Sequence, residues 1–115
     1  MKDWSKTLPV AITVCDKNGI ILEMNDKSER TFLQPDSPSL IGQNLMNCHP
    51  PKAQEKIRQL IATGTTNAYT IEKNGIKKLI YQAPWFENGE VAGLVELSME
   101  IPFEMPHYVR TPNKK

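Results

Sequence analysis

A cysteine and a histidine lie side by side in the segment Asn47-Cys48-His49-Pro50-Pro51. A thiolate is a strong nucleophile, and an imidazole can act as a general base or ligate a metal. Catalysis would also require an orienting carboxylate and oxyanion donors beside this pair, and no motif in the sequence identifies them. No glycine-rich phosphate loop is present either. The sequence therefore predicts that the protein is not an enzyme.

The length and the charge balance narrow the possible partners. A chain of 115 residues matches one ordinary domain, and 14 basic against 13 acidic side chains give a formal net charge of +1. Such a balance provides no field that attracts nucleic acid or an anionic membrane. No apolar run is long enough to span a bilayer, and the first residues lack the apolar core of a secretion signal. We therefore expect a cytoplasmic protein that binds neither nucleic acid nor membrane, with Cys15 and Cys48 as free thiols.

Three Asn-Gly dipeptides, at positions 18–19, 74–75 and 88–89, each lie between runs rich in Val, Ile, Leu or Tyr. Asn and Gly readily adopt the positive φ that tight hairpin turns require, so each dipeptide predicts a β-hairpin. Because proline donates no hydrogen bond to a sheet, Pro84 is expected to end or bulge the fourth strand. The predicted strands cover residues 10–15, 20–24, 68–73, 76–83 and 91–101.

The stretch between the first hairpin and the last three strands has helical patterning. A short helix is predicted at 27–33, capped by Asn25 or Asp26, and a longer one begins at Pro51. The longer helix carries an apolar stripe formed by Ala53, Ile57, Leu60 and Ile61. In the last strand, alternation places four apolar residues on one face, and the helices are the elements expected to cover that face. These four residues are Val91, Val95, Leu97 and Met99.

Three segments together resemble PAS sensor domains over about residues 8–101. Residues 81–95 are similar to the closing PAS hairpin, residues 15–25 to the opening one, and Leu40-Ile41-Gly42 to a hydrophobic-hydrophobic-glycine step of the family. The resemblance implies an α+β fold with a five-stranded antiparallel sheet, in the order 2-1-5-4-3, and a helical layer on one face that encloses a small cavity. It also implies a non-catalytic sensory and signal-transduction module. We assign residues 1–8 to an amino-terminal amphipathic cap, 9–101 to the PAS-like domain and 102–115 to an extended or disordered tail.

PAS cavities hold haem, flavin or small metabolites, and the resemblance makes His49 a candidate axial ligand of haem iron. The alternative is that His49 closes the loop onto the helix as a hydrogen-bond partner, because Pro50 forces it out of helical geometry. Covalent haem attachment would need a cysteine where Leu45 stands. Flavin is not expected, since the last strand has no glutamine, although Cys48 could serve as a redox sensor. The predicted cavity residues are His49, Cys48, Ile57, Leu79, Tyr81 and Val95, with His49 as the metal ligand.

The two ends of the chain indicate which surfaces a partner could contact. Met1, Trp4 and Leu8 recur at helical spacing, so the cap could pack on the sheet or on a second copy. PAS domains dimerise through the outer sheet face and flanking helices, and the resemblance therefore predicts a homodimer. Three prolines in the tail argue against a continuous coiled-coil exit and leave it available to a signalling protein. Two classes remain open: a sensor that binds a ligand or cofactor, and a cofactor-free interaction module.

Overall fold

The computed structural model describes residues 1–32 and 39–112 of the chain. Three α-helices are described: α1 (Asp3–Thr7), α2 (Asp26–Phe32) and α3 (Pro51–Thr63), with a 3₁₀ turn at Leu45–Cys48 before α3. The strands are β1 (Ala11–Asp16), β2 (Ile21–Met24), β3 (Asn67–Lys73), β4 (Ile76–Glu87) and β5 (Glu90–Ile101). The predicted elements are therefore present, with ends that differ by a few residues. Leu33, the last residue of the predicted short helix, lies outside the described residues.

The strands form one antiparallel sheet in the order β2-β1-β5-β4-β3. The predicted α+β class and strand order are confirmed. Two of the predicted hairpin turns have positive φ at both central residues, with 54° and 78° at Asn74-Gly75 and 53° and 81° at Asn88-Gly89. Such values define a type I′ turn, the turn that matches the twist of the flanking strands. The turn of the first hairpin is stabilised differently, since Asp16 Oδ1 accepts hydrogen bonds from the backbone N–H groups of Asn18 and Ile20.

Asn25 joins three elements at the amino-terminal end of α2. Its side chain is fully buried, and its Oδ1 accepts from the N–H of Ile12 at 2.9 Å and from the N–H of Ser28 at 3.0 Å. The second of these bonds satisfies a donor in the first turn of α2, as predicted for a capping residue. Its Nδ2 donates to the carbonyls of Ser5 at 2.9 Å and Val10 at 2.7 Å. One amide therefore holds α1, β1 and α2 together.

The core lies where α3 packs on the central strands. Ile57 and Leu60, from the predicted apolar stripe, are each 1% exposed, as is Leu94 on β5. Helix α3 begins at Pro51 and is followed by Gly64, whose φ of 65° closes the helix in the left-handed conformation. The prediction that this helix covers the sheet is confirmed. The buried cluster consists of Cys15, Ile21, Met24, Leu45, Ile57, Leu60 and Leu94.

The helices do not cover the face that the sequence suggested. Strand register places Val95, Leu97 and Met99 on the outer face, away from the helices. The inner face, under the helices, carries Glu96 and the buried Ser98 instead. Alternation in a strand shows which residues share a face, but it does not show which face another element will cover. The expectation that the helices cover the apolar face of β5 is therefore wrong for Val95, Leu97 and Met99. Val91 lies beyond the register shift, where a Cβ at Gly64, the residue that follows α3, would be 3.2 Å from its Cγ2.

Pro84 neither ends β4 nor bulges it. The strand continues to Glu87, Pro84 pairs with Leu94, and the register shift lies further on, between Trp85 and Phe86. The pairing of β3 with β4 stops at Gln82, so none of the described strands lies beside Pro84 on that side. A proline is tolerated at such a position because its missing N–H has no strand partner to satisfy.

The segments that flank the domain are exposed. Trp4, within α1, is 69% exposed, and α1 contains no buried residue. Residues 102–112 form neither helix nor strand, and all of them are exposed. Among the described residues, no helix is long and apolar enough to cross a membrane.

Candidate functional site

A cavity of about 190 Å³ opens between the inner face of the sheet and the helical layer. Most of its wall is apolar, and polar groups enter from Thr13 on β1, Glu96 on β5 and His49 after the 3₁₀ turn. An apolar cavity of about 150 Å³ in another protein accommodates benzene, so this space suits one small ring with a substituent. The apolar lining residues are Ile21, Met24, Phe32, Leu40 and Leu45.

A row of hydrogen-bonded side chains crosses the inner face from β3 to β5. Asn67 Nδ2 donates to Gln82 Oε1 at 3.0 Å, and Gln82 Nε2 donates to Glu96 Oε2 at 2.8 Å. Gln82 is only 4% exposed, whereas Glu96 is half-buried and lines the cavity. Strand register produces this row, because Asn67 pairs with Gln82 and Gln82 pairs with Glu96. Side chains that face one another on neighbouring strands share a face.

A second polar pair closes the cavity towards α2. The hydroxyl oxygens of Thr13 and Ser28 lie 2.6 Å apart, and Ser28 is fully buried. Thr13 is the β1 residue that pairs with Glu96. The hydroxyl of Thr13 therefore has a protein partner before any ligand binds.

His49 is held by both its backbone and its ring. Its backbone is extended, with φ of −124° and ψ of 140°, as expected for a residue that precedes proline. Its Nδ1 lies 2.8 Å from the carbonyl of Leu45, and its own carbonyl accepts from Gln54 Nε2 at 2.8 Å. When Nδ1 carries the proton it donates to Leu45, which leaves Nε2 as an acceptor. This agrees with the interpretation that His49 closes the loop onto α3.

A second cavity, of about 210 Å³, adjoins His49 on the α3 side. Tyr69 and Ile57 line it, together with Gln82. Burial, and to a lesser extent the negative charge of Glu96, raises the pKa of Tyr69 above its usual 10.0. The pKa of Cys15 is raised mainly by burial, which outweighs an opposing hydrogen bond with the backbone of Leu94, and the charges of Asp16 and Glu96 raise it by smaller amounts. The charge of Glu96 therefore acts on groups on both sides of the site.

The structure brings only part of the predicted site together. His49 lines both cavities, and Ile57 lines the second. By register, Tyr81 pairs with Leu97 and Leu79 with Met99, so Leu79, Tyr81 and Val95 lie on the outer face and do not line the cavities. Cys48 belongs to the 3₁₀ turn, and its side chain lies outside what the structure describes. A binding role for His49 and Ile57 remains a prediction.

The sequence did not predict most of the residues that line the two cavities, among them the polar residues Thr13, Gln82 and Glu96. One signal was available, since a carboxylate in the middle of the regular β5 strand shares a face with Ser98. A charged residue in a strand usually indicates a solvated face, and the sequence was interpreted in that way. The row from Asn67 to Glu96 becomes visible only when the strand register is known.

The residues present do not fit haem. A cavity of about 190 Å³ is smaller than the ~300–1,000 Å³ typical of sites for drug-sized ligands, and haem is larger than those. The carboxylate of Glu96 would also face the apolar macrocycle, at a desolvation cost that the described cavity residues do not offset with a cation. Within the described part of the chain, no group of three His, Cys, Asp or Glu side chains could hold a metal ion.

The chain has the architecture of the PAS fold, and the resemblance to PAS domains is confirmed at the level of the fold. A PAS domain from Colwellia psychrerythraea aligns with a TM-score of 0.62 at 22% identity, covering 85% of this chain and 91% of that one. The Aer2 receptor of Vibrio cholerae, described as a dual PAS-heme oxygen sensor, aligns with a TM-score of 0.61 at 19% identity, over 81% and 95% of the two chains.

A third similar protein is VqmA of Vibrio cholerae. Its dimer in the absence of target DNA aligns with a TM-score of 0.68 at 17% identity, over 96% of this chain and 56% of that one. VqmA bound to DPO aligns with a TM-score of 0.67 at 17% identity, over 85% and 55%. The chain thus spans about half the length of VqmA. No family model matches the chain, and no curated protein matches it.

Proposed function

We propose that the protein is a non-catalytic PAS-type sensory and signal-transduction module that binds a small molecule in the cavity beside Glu96. The observation that carries the proposal is an apolar cavity into which Thr13, His49 and Glu96 bring polar groups. Small-molecule sites have this composition, because apolar walls supply affinity and a few polar groups fix orientation. The structure of VqmA bound to DPO supports the proposal, since that protein shares the fold.

The position of the cavity also provides a route for a signal. Thr13 and Glu96 lie on β1 and β5, the strands at the centre of the binding face, and their neighbours in sequence point to the outer face. A ligand that binds one arrangement of these strands more tightly than another shifts the equilibrium between them. The outer face, with Leu97 and Tyr81, is then the surface that a partner would sense.

Binding can be tested with isotope-labelled protein and a panel of small ring compounds, followed by NMR. We expect at least one compound to shift the amide signals of Thr13, His49 and Glu96. Leu45→Trp, which adds bulk to the cavity wall, should weaken that binding. Leu22→Trp is the matched control, because Leu22 is 41% exposed and is not among the residues that line this cavity. A panel that leaves the cavity residues unshifted would contradict the proposal.

The haem alternative is not favoured, because the cavity is small and lined by a carboxylate. We expect an absorption spectrum without a Soret band after incubation with haemin. A Soret band that is lost in His49→Ala would overturn this expectation. A cytoplasmic location stays a prediction of the sequence.

A second candidate function is self-association through the outer face of the sheet. Tyr81, on this face, is 38% exposed, and Leu97 and Val95 beside it are only half-buried. Apolar side chains on one contiguous sheet face are typical of an interface, and a net charge of +1 opposes self-association little. VqmA, which shares the fold, forms a dimer in one of the similar structures. We therefore propose a second copy of this chain as the occupant of the face.

Light scattering tests self-association directly, because it measures the mass of the protein in solution. Leu97→Glu would place a charge in the proposed interface and should convert a dimer into a monomer. Leu22→Glu is the control with the same substitution at an exposed position on β2. A wild-type protein that stays monomeric at high concentration would exclude this second function and leave the ligand proposal untouched.

A further inference from the structure

We infer that the cavity selects a small ring compound that carries a cationic or strongly donating N–H group, with the carboxylate of Glu96 as its acceptor. The inference rests on the proposed function and adds the chemical class of the ligand. It follows from the charge of Glu96, from the way its neighbours are already hydrogen-bonded, and from the size of the cavity.

The charge of Glu96 lacks a cationic partner among the described residues. The ion pairs found there join Met1 to Glu23, Lys6 to Asp26 and Lys27 to Glu100, and none includes Glu96. Lys56 lines the neighbouring cavity, but it is exposed and forms no ion pair with Glu96. A half-buried carboxylate interacts strongly with a cation, because water screens the pair less than at the surface.

The hydrogen-bond row fixes which atoms remain for a ligand. Asn67 donates to Gln82 Oε1, and this orients the Gln82 amide so that Nε2 donates to Glu96 Oε2. The other carboxylate oxygen, Oε1, has no hydrogen-bond partner in the part of the chain that is described. The hydroxyl of Thr13 is already paired with Ser28. The site therefore has acceptor capacity that the donors of residues 1–32 and 39–112 do not use.

The apolar wall of the cavity determines the size and the apolar character of the rest of the ligand. At about 190 Å³ the cavity holds little more than one six-membered ring, for which Ile21, Met24 and Leu45 provide van der Waals contact. A ring bearing an amidine places two N–H donors and a positive charge at one edge. Such a group matches a carboxylate bidentately, in the way an arginine guanidinium does.

The test uses three probes that share a ring and a shape but differ in charge: benzamidine, benzamide and benzoate. NMR titration of the full chain at pH 7 gives a dissociation constant for each. We expect benzamidine to bind at least tenfold more tightly than benzoate, with shifts at Thr13 and Glu96. Glu96→Gln keeps the shape of the side chain and removes its charge. This substitution should raise the dissociation constant of benzamidine by about tenfold to hundredfold, as expected for the loss of a charge-assisted hydrogen bond. It should change the dissociation constant of benzamide by less than about threefold.

Glu100→Gln is the control, because it removes the same charge from an exposed position on the same strand. It should leave all three affinities unchanged. If benzoate or benzamide binds the cavity as tightly as benzamidine, the charge selectivity is overturned while the proposed sensor function stands. If none of the three probes shifts a cavity residue, both the ligand class and the use of this cavity for small rings are overturned. Thermal unfolding of each variant verifies that it is folded.

Discussion

The two faces of the sheet differ in chemistry, because the inner face combines an apolar cluster with a row of polar side chains and the outer face presents apolar side chains to solvent. The inner face, under the helices, presents Thr13, Gln82 and Glu96, whereas the outer face presents Leu97 and Tyr81. The inner polar groups are tolerated because each bonds to another side chain. The outer apolar groups remain in contact with solvent. This difference is consistent with our proposals that the covered face binds a ligand and that the open face contacts a second copy of the chain.

The buried cluster occupies only part of the inner face. Cys15 and Leu94 pack against Ile57 and Leu60 of α3, whereas the next residue of β5 on the same face is Glu96. Apolar burial provides most of the stabilisation in folded proteins, so stability should depend on this cluster. The polar stretch beside the cluster should contribute less to stability and more to binding. Substitutions on the inner and outer faces of the sheet, and in the apolar and polar parts of the inner face, can test this division.

The largest effect is expected at Gly93, a buried residue of β5. A Cβ atom there would lie 1.9 Å from the carbonyl oxygen of Cys15 and 2.6 Å from Trp85 Nε1. The same two groups form a hydrogen bond of 2.9 Å across the strands. Gly93→Ala should therefore cost more than about 4 kcal/mol or prevent folding, as measured by denaturant unfolding.

Gly75→Ala is the control for this substitution. Nothing lies within 4 Å of its added Cβ, but its φ of +78° disfavours alanine. We expect a cost of about 1–2 kcal/mol there. Equal losses at Gly93 and Gly75 would show that backbone conformation, and not the contact with Cys15 and Trp85, explains the glycine in β5.

The next effect compares two leucines on β5 that point to opposite faces. Leu94 is 1% exposed in the inner cluster, and Leu97 is half-buried on the outer face. Leu94→Ala should lower the free energy of unfolding by about 2–5 kcal/mol, because it leaves a cavity in packed surroundings. Leu97→Ala should cost about 1 kcal/mol, since solvent already reaches the side chain. Urea denaturation of both variants, at a concentration where the protein is monomeric, measures the difference. A larger loss at Leu97 would show that the outer face belongs to the core.

The architecture was predictable because its signals are local. The Asn-Gly dipeptides readily adopt positive φ, and two of them form the type I′ turns at Asn74-Gly75 and Asn88-Gly89. The stripe with Ile57 and Leu60 identified the buried face of α3, since a helix presents one apolar side. The choice of the covered sheet face was not predictable in this way. Both faces of β5 alternate regularly, and only the path of the chain through α2 and α3 decides between them.

The candidate site was predictable only in part, for a related reason. His49 was identified by its residue type, and it lines the cavity. Leu79 and Tyr81 were predicted to line the cavity, but register places both on the outer face. Glu96 was passed over because carboxylates usually face solvent. Its bond to Gln82 depends on a strand pairing that residue types alone do not reveal.

A smaller effect is expected from the polar pair on the inner face. Thr13→Val removes one hydroxyl and leaves that of Ser28, which is fully buried, without its 2.6 Å partner. The free energy of unfolding should fall by about 1–3 kcal/mol, which is the cost of an unsatisfied buried polar group. Adding Ser28→Ala removes that group and should recover most of the loss, which a double-mutant cycle on thermal or urea unfolding measures. Additive losses would mean that the hydroxyls act independently and that the inner face does not depend on their pairing.

The smallest expected effect is a dependence of stability on pH that arises from Cys15, in the apolar cluster on the inner face. Burial raises the pKa of Cys15 above its usual 9.0, so the folded protein retains the thiol proton at a pH where the unfolded chain has lost it. The unfolded state then binds fewer protons, and the free energy of unfolding falls as pH rises, by at most about 1.4 kcal/mol per pH unit. Below pH 9.0 this contribution is fully present. Urea denaturation between about pH 8 and pH 10.5 should show a decline above about pH 9 in the wild type and a shallower one in Cys15→Ala, which retains Cys48 as a shared background. Parallel slopes would mean that solvent reaches Cys15, and the polar cavity would then extend into the end of the sheet assigned to the core.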